Sequence, residues 1–200
     1  MGLAKEVVLC YNKANKRKEG NRMKNVLIIS SSPRKGGNSE TLCEEFYAGA
    51  TEAGHNAEIV SLRDKNINYC KGCYVCRKRG KCVQDDDMLP LLEKIKKADV
   101  LVLATPVYFY SMTAQLKTFI DRLFYVYRDV HADIYMIITA ADDDLPLLEQ
   151  TAESIRGCTR DCFEDCEEKG CLIAGGVGKR GEIKCREDLM EEAYEMGRNC

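Results

Sequence analysis

Apolar and polar positions along the chain predict strands and helices in strict succession. Val26 to Ile29 is continuously apolar, as a strand buried on both faces requires, and Leu42, Phe46 and Ala50 then recur at helical spacing. The same alternation continues to the C-terminus. The further predicted strands are 57–62, 99–104, 134–139 and 171–175, and the predicted helices are 39–53, 88–97, 116–124, 145–168 and 187–198.

This succession indicates the fold class. Strands joined by helices form βαβ crossovers, which give a parallel sheet covered by helices on both faces. We therefore predict a doubly wound α/β fold with five strands in the order 2-1-3-4-5. In such a sheet, ligands bind where strands one and three end at their carboxyl edge.

Composition narrows the picture to one compact, soluble domain. The chain has 200 residues, of which 45% are hydrophobic, and a formal net charge of -2. That charge gives no basic surface for nucleic acid or an anionic membrane, and no apolar run approaches the ~18 residues of a membrane span. Because the N-terminus lacks a secretory signal, we expect a cytoplasmic protein whose 12 cysteines stay reduced.

The first 22 residues differ from the rest. They are charged without an apolar period, so we expect a disordered N-terminal extension, followed by one domain over residues 23–200 with a cysteine-rich loop at 70–82. Lys18-Glu19-Gly20 can be encoded by a ribosome-binding sequence shortly before Met23. Met23 is therefore our hypothesis for the natural start, which N-terminal sequencing of the native protein tests.

A hydroxyl-rich and glycine-rich loop joins the first strand to the first helix. Hydroxyls, glycine amides, an arginine and a helix N-terminus together suit one terminal phosphate. The loop has neither the Gly-Lys-Ser/Thr of a Walker A motif nor G-x-G-x-x-G, so we favour a mononucleotide over an ordinary βα turn with an N-cap residue. The candidate binding residues are Ser30, Ser32, Arg34, Gly37, Asn38 and Ser39.

Two segments resemble one known family. S-S-S-P-R-K-G-G-N-S is similar to the phosphate loop of the NAD(P)H-dependent FMN reductase and iron-sulfur flavoprotein branch of the flavodoxin-like superfamily, although Ser31 stands where that family usually has glycine. T-P-V-Y-F-Y-S-M-T-A-Q-L-K, from Thr105 to Lys117, is similar to its loop after the third strand, and F-I-D-R follows at Phe119 to Arg122. The resemblance covers nearly everything from Met23 onward.

The resemblance implies a flavodoxin-like fold that binds FMN, with the loop after the third strand wrapped around the isoalloxazine. A flat, partly apolar ring needs aromatic or backbone surface, although these aromatics also suit a core or a dimer interface. Thr139-Ala140-Ala141, after strand four, is a third expected contact. The candidate flavin residues are Pro106, Val107, Tyr108, Phe109, Tyr110, Ser111 and Thr139.

Four cysteines form the compact pattern Cys70-x2-Cys73-x2-Cys76-x5-Cys82, which resembles the cysteine motif of the iron-sulfur flavoproteins. Two C-x2-C steps and a short return can supply four thiolates to a 4Fe-4S cluster. Zinc and free thiols remain alternatives, because the pattern is also found in relatives without a demonstrated cluster. Cys158, Cys162 and Cys166 lie four residues apart, which predicts packing along one helical face, and Lys117 and Asp121 predict an exposed ion pair.

These features predict an FMN-dependent oxidoreductase that passes electrons from NAD(P)H through bound flavin to a small acceptor such as flavin, a quinone, a nitro or azo compound, or oxygen. We assign no catalytic acid or base. One alternative is a ferredoxin-linked iron-sulfur flavoprotein that reduces oxygen or peroxide, and another is a flavodoxin-type electron carrier without an enzymatic substrate. The resemblance also implies a homo-oligomer, either dimer or tetramer.

Overall fold

The computed structural model describes residues 22–200. Five strands alternate with helices along this part of the chain: β1 Asn25–Ser30, β2 Asn56–Ser61, β3 Val100–Pro106, β4 Asp133–Thr139 and β5 Glu167–Ala174. The helices are α1 Asn38–Glu52, α2 Val75–Arg79, α3 Met88–Ile95, α4 Ala114–Arg122, α5 Leu145–Thr159 and α6 Glu187–Arg198. We predicted a disordered extension over residues 1–22, and all of these residues except residue 22 lie outside the described part.

The strands form one parallel sheet in the order β2-β1-β3-β4-β5, which confirms the predicted topology. The apolar runs of β1 and β3 are buried along almost their whole length, because helices cover both faces of the sheet. β2 lies at an edge and is only partly buried. The carboxyl ends of β1 and β3 are therefore adjacent, as the predicted ligand site requires.

Side-chain alternation along each strand divides the core into two layers. Leu27 and Leu101 face the layer beneath α3, α4 and α5, whereas Ile28 and Val102 face the layer beneath α1 and α6. The α1 and α6 helices meet closely at Gly49 and Gly197. A Cβ on either glycine would lie 2.0 Å from a backbone oxygen of the other helix, so the fold needs glycine at both positions.

The prediction for the segment between α5 and β5 was wrong at its boundary. α5 ends at Thr159 instead of near residue 168, and β5 begins at Glu167 instead of Cys171. Acidic side chains at Asp161 and Asp165 oppose the negative C-terminal end of a longer helix. The three cysteines consequently do not share one helical face: Cys158 and Cys166 pack against the core, whereas Cys162 is exposed.

Among residues 22–200, no helix has both the length and the apolar character that a bilayer span requires.

Candidate functional site

Nine of the thirteen predicted flavin and phosphate residues line one cleft at the carboxyl edge of the sheet. The cleft brings together the loops after β1, β3 and β4, as predicted, and adds the loop after β5, which sequence reasoning missed. From the predicted set it is lined by Ser32, Arg34, Gly37, Asn38, Ser39, Pro106, Val107, Tyr108 and Thr139. Ala140, Ala141, Val177 and Gly178 complete the lining, whereas Ser30, Phe109, Tyr110 and Ser111 do not contribute to it.

A phosphate group fits the end of the cleft formed by the loop after β1. Ser39 is 1% exposed, and its Oγ has no hydrogen-bond partner among the described residues. It lies in the first turn of α1, where backbone N–H groups are free to bind an anion. A Cβ on Gly37 would lie 2.8 Å from Ser32 Oγ and 3.0 Å from the Arg34 carbonyl oxygen, so glycine leaves the cradle open.

Ser30 and Ser31, at the start of the same loop, do not line the cleft. Ser31 Oγ donates to the Ala104 carbonyl at 2.8 Å and accepts from Thr113 Oγ1 at 3.0 Å, which ties β1 to the loop before α4. These two bonds give the Ser31 hydroxyl a structural role. Ser30 is buried beside Cys43, whose thiol pKa is raised by burial.

A partly buried ion pair between Arg63 and Glu40 supports the phosphate loop from outside the cleft. The Gly36 N–H donates to the Glu40 carboxylate, and Glu40 accepts a second bond from Arg63 at 3.0 Å. This hydrogen bond is also the main reason why the pKa of Arg63 is raised. Arg63 follows β2 on a different segment, so the loop keeps its shape through a contact that no local motif reveals.

Asn38 joins the phosphate loop to the loop after β5. Its Nδ2 donates to the carbonyl oxygens of Val177 at 2.8 Å and Lys179 at 2.9 Å, and its Oδ1 accepts from the Ile183 N–H at 3.2 Å. Arg34 adds a bond to the Gly178 carbonyl at 3.2 Å. Asn38 therefore builds a wall of the cleft with its side chain. The glycine-rich run 175–178 directly after a strand was the available sequence signal for this wall.

The loop after β3 forms a tight turn at the cleft mouth. Tyr108 and Ser111 exchange two backbone hydrogen bonds of 2.9 and 3.1 Å. Phe109 and Tyr110 between them have φ values of 50° and 56°, the left-handed conformation of a type I′ turn, which is unfavourable for bulky residues. The turn carries Tyr108 into the cleft lining and leaves Phe109 fully exposed beside it.

A side-chain contact fixes this turn to the loop after β4. The Tyr110 hydroxyl donates to Asp142 Oδ2 at 2.9 Å, and this bond raises the pKa of Tyr110. The Asp144 N–H and then the Tyr110 hydroxyl lower the pKa of the Asp142 carboxyl. Tyr110 thus supports the cleft mouth from outside the cleft.

The four-cysteine segment lies apart from this cleft. Cys70 and Cys73 are exposed, whereas Cys76 and Cys82 are half-buried. Cys76 lies within α2, a short helix that the sequence did not predict, and Cys82 follows that helix. Within residues 22–200, no group of three or more His, Cys, Asp or Glu side chains is arranged to hold a metal ion. The four thiols are therefore not gathered around one point in this structure.

A buried ion pair anchors the same segment to the core. Arg122, at the end of α4, donates to both carboxylate oxygens of Asp86 at 2.6 and 3.0 Å, and both side chains are 1% exposed. Arg122 also donates to the Asn68 carbonyl at 2.7 Å and contacts Cys82 Sγ at 3.6 Å. Lys117 and Asp121 on the same helix form the exposed ion pair that was predicted.

A sheet of this order, with a phosphate cradle after β1 and an aromatic turn after β3, defines the flavodoxin-like class of mononucleotide-binding folds. Residues 24–151 match the model of the family described as NADPH-dependent FMN reductase. The chain belongs to this family of flavin-dependent oxidoreductases.

Individual relatives agree with this assignment. The chain is 44% identical over 95 residues to an iron-sulfur flavoprotein of Archaeoglobus fulgidus. The aligned region covers 48% of this chain and 43% of that protein. It is 44% identical over 97 residues to an iron-sulfur flavoprotein of Methanocaldococcus jannaschii, covering 48% of this chain and 50% of the relative. The chain thus spans about half the length of these curated relatives.

A solved structure confirms the fold. The NAD(P)H:quinone oxidoreductase from Methanothermobacter marburgensis superimposes with a TM-score of 0.72 at 22% sequence identity, covering 89% of this chain and 97% of that one. At this identity the similarity demonstrates a shared flavodoxin-like fold.

Proposed function

We propose that the chain is an FMN-dependent oxidoreductase that passes electrons from NADH or NADPH through bound flavin to a small acceptor. The observation that carries the proposal is the cleft itself, where a phosphate cradle with an unsatisfied buried hydroxyl, Ser39 Oγ, continues into the turn at Tyr108. FMN has the matching parts, a terminal phosphate and a flat ring. Family membership supports the same cofactor.

Bound FMN would supply the redox chemistry, because it can take hydride from reduced nicotinamide and pass electrons on. The chain's part is to bind and orient it. Ser39 and the first-turn amides of α1 would hold the phosphate, while Val107, Tyr108 and Thr139 offer surface to the ring.

Stopped-flow mixing of the FMN-loaded chain with NADH or NADPH tests this proposal. We expect the flavin absorbance to bleach with at least one donor and to recover when a quinone, an azo or nitro compound, free flavin or oxygen is added. Flavin that stays oxidised with both donors would reject the proposal. Flavin that is reduced but never turns over with any acceptor would favour the carrier alternative.

A cluster at Cys70, Cys73, Cys76 and Cys82 is a second proposal, in which ferredoxin supplies the electrons and oxygen or peroxide is reduced. Its support is the cysteine spacing and the names of the two relatives, which are iron-sulfur flavoproteins. Since the cysteines are not gathered in this structure, we derive no electron-transfer step through them.

Iron and acid-labile sulfide in anaerobically purified chain test the cluster directly. A bound cube requires four iron atoms and four sulfides per chain. We expect Cys82→Ser to lower both contents if the cluster is present, whereas Cys162→Ser, at an exposed cysteine outside the motif, leaves them unchanged. Iron near zero in the unsubstituted chain would reject the cluster.

We further propose that residues 23–200 form one FMN-binding unit that assembles as a dimer or tetramer in the cytoplasm. A groove of about 540 Å³ between α4 and the end of α5 supports self-association, because apolar side chains of Ile120, Phe124 and Tyr127 line it. Light scattering of the purified chain measures the assembly.

A further inference from the structure

The loop after β5 places an arginine against the phosphate loop. Gly36 has a φ of +65°, a conformation that favours glycine. The Arg180 side chain covers the side of Gly36 where a Cβ would be. A Cβ on Gly36 would lie 3.3 Å from Arg180 Nη2 and 3.5 Å from Nε. This guanidinium comes from a segment more than 140 residues away along the chain, and neither the β1 loop motif nor its resemblance points to it.

In the described part of the chain, no carboxylate forms an ion pair with Arg180. Two carboxylates on adjoining segments are engaged elsewhere: Glu40 pairs with Arg63, and Glu182 accepts the Lys179 N–H at 2.8 Å. An exposed guanidinium without an anionic partner, next to a phosphate cradle, is available to a ligand phosphate.

The position of Arg180 is set by the site itself. Asn38 bonds to residues on both sides of it, through the Lys179 carbonyl and the Ile183 N–H. The next residue of the helix is Ser39, which lines the cleft and whose buried Oγ has no hydrogen-bond partner within residues 22–200. The same helical turn thus holds both the unsatisfied hydroxyl and the loop that carries the arginine.

We propose that Arg180 is a second cationic contact for the phosphate of bound FMN, on the outer side of the phosphate loop. The inference rests on the proposed function, because it presupposes that FMN occupies the cleft. One guanidinium N–H of Arg34 already donates to the Gly178 carbonyl. Arg34 keeps its charge and its other N–H donors, and Arg180 adds a second cation with donors of its own.

Fluorescence titration of the flavin-free full chain with FMN and with riboflavin tests this inference, because riboflavin lacks only the phosphate. We expect Arg180→Gln to raise the Kd for FMN roughly five- to tenfold, the range for an exposed, charge-assisted contact, and to leave the Kd for riboflavin within about twofold. Arg180→Lys should restore part of the loss, since it keeps the charge without the planar fork.

Arg186→Gln is the matched control. It removes an equal charge six residues further on, but Arg186 is engaged with Asp188 at 2.8 Å and should leave both constants unchanged. An unchanged FMN constant in Arg180→Gln, or an equal loss for FMN and riboflavin, would overturn the inference while leaving the proposed function intact. If the unsubstituted chain binds no FMN, the proposed function itself fails.

Discussion

Replacing Asn38 with Asp is expected to lower the free energy of unfolding by about 3 kcal/mol and to abolish tight FMN binding. The change keeps the side-chain volume but replaces the Nδ2 donor with an oxygen. That oxygen would face the carbonyls of Val177 and Lys179, which Nδ2 contacts at 2.8 and 2.9 Å. Asn38 is only 8% exposed, so water cannot repair the lost bonds. Urea unfolding and FMN titration measure the two effects.

The defect should depend on pH in a defined direction. A buried carboxylate next to two carbonyl oxygens has a raised pKa, because its neutral form can donate to one of them. Stability is then lost as pH rises through that pKa, so the variant should recover part of the deficit as pH falls from it towards about 4, the ordinary aspartate value.

Asn56→Asp is the control for this substitution. Asn56 makes an exposed amide–amide bond to Asn25 at 2.9 Å, so the same change should cost less than about 0.5 kcal/mol. If both variants lose equal stability, the Asn38 bonds are not what holds the loop after β5.

The Asn38 contacts show which parts of the site could be predicted from sequence. The apolar runs of β1 and β3 require strands buried on both faces, and this requirement places their carboxyl ends together. The loops after β1 and β3 were therefore predicted in one cleft, as the structure places them. Local pattern and parallel topology are sufficient for such a prediction.

Contacts between distant segments were not predictable in this way. Asn38 was expected to bind ligand because it lies in the phosphate loop, and nothing in its sequence neighbours indicates that it bonds to residues 177–183.

The end of α5 was missed for a related reason. Helical spacing of cysteines continued past Thr159, but Phe163 turns back into the core and the acidic residues around it favour an end.

Replacing Arg122 with Leu is expected to destabilise the fold by about 3 to 5 kcal/mol, because it leaves the Asp86 carboxylate buried without its cation. Asp86→Asn should also destabilise, since it leaves the guanidinium unpaired. The double variant removes both charges, so its loss should be smaller than the sum of the two single losses. Urea unfolding of the four chains measures this coupling, and strict additivity would contradict it.

Arg160→Leu is the control for a surface arginine. Arg160 pairs with Asp161 at 2.9 Å while remaining 56% exposed, so its removal should cost less than about 1 kcal/mol.

The reactivity of the cysteine segment should also differ between the two variants. Arg122 contacts the Asn68 carbonyl and Cys82, so Cys82 should react faster with a thiol reagent in Arg122→Leu than in Arg160→Leu.

Acid should erase the Arg122 effect. Burial alone would raise the pKa of Asp86, but hydrogen bonds from Arg122, Asn68 and Met88 outweigh it and lower the pKa from 3.8 to about 2. A carboxyl whose pKa is lowered by folding stabilises the protein above its unfolded value, and that stability is lost as pH falls through the folded value. In Arg122→Leu the buried carboxyl loses its cation and has a raised pKa, so that variant regains stability as pH falls. The stability difference between the two chains should therefore be full near neutral pH and shrink as pH falls towards 2. If the stability difference stays constant across this pH range, Arg122 stabilises the fold by packing, and its ion pair with Asp86 contributes nothing.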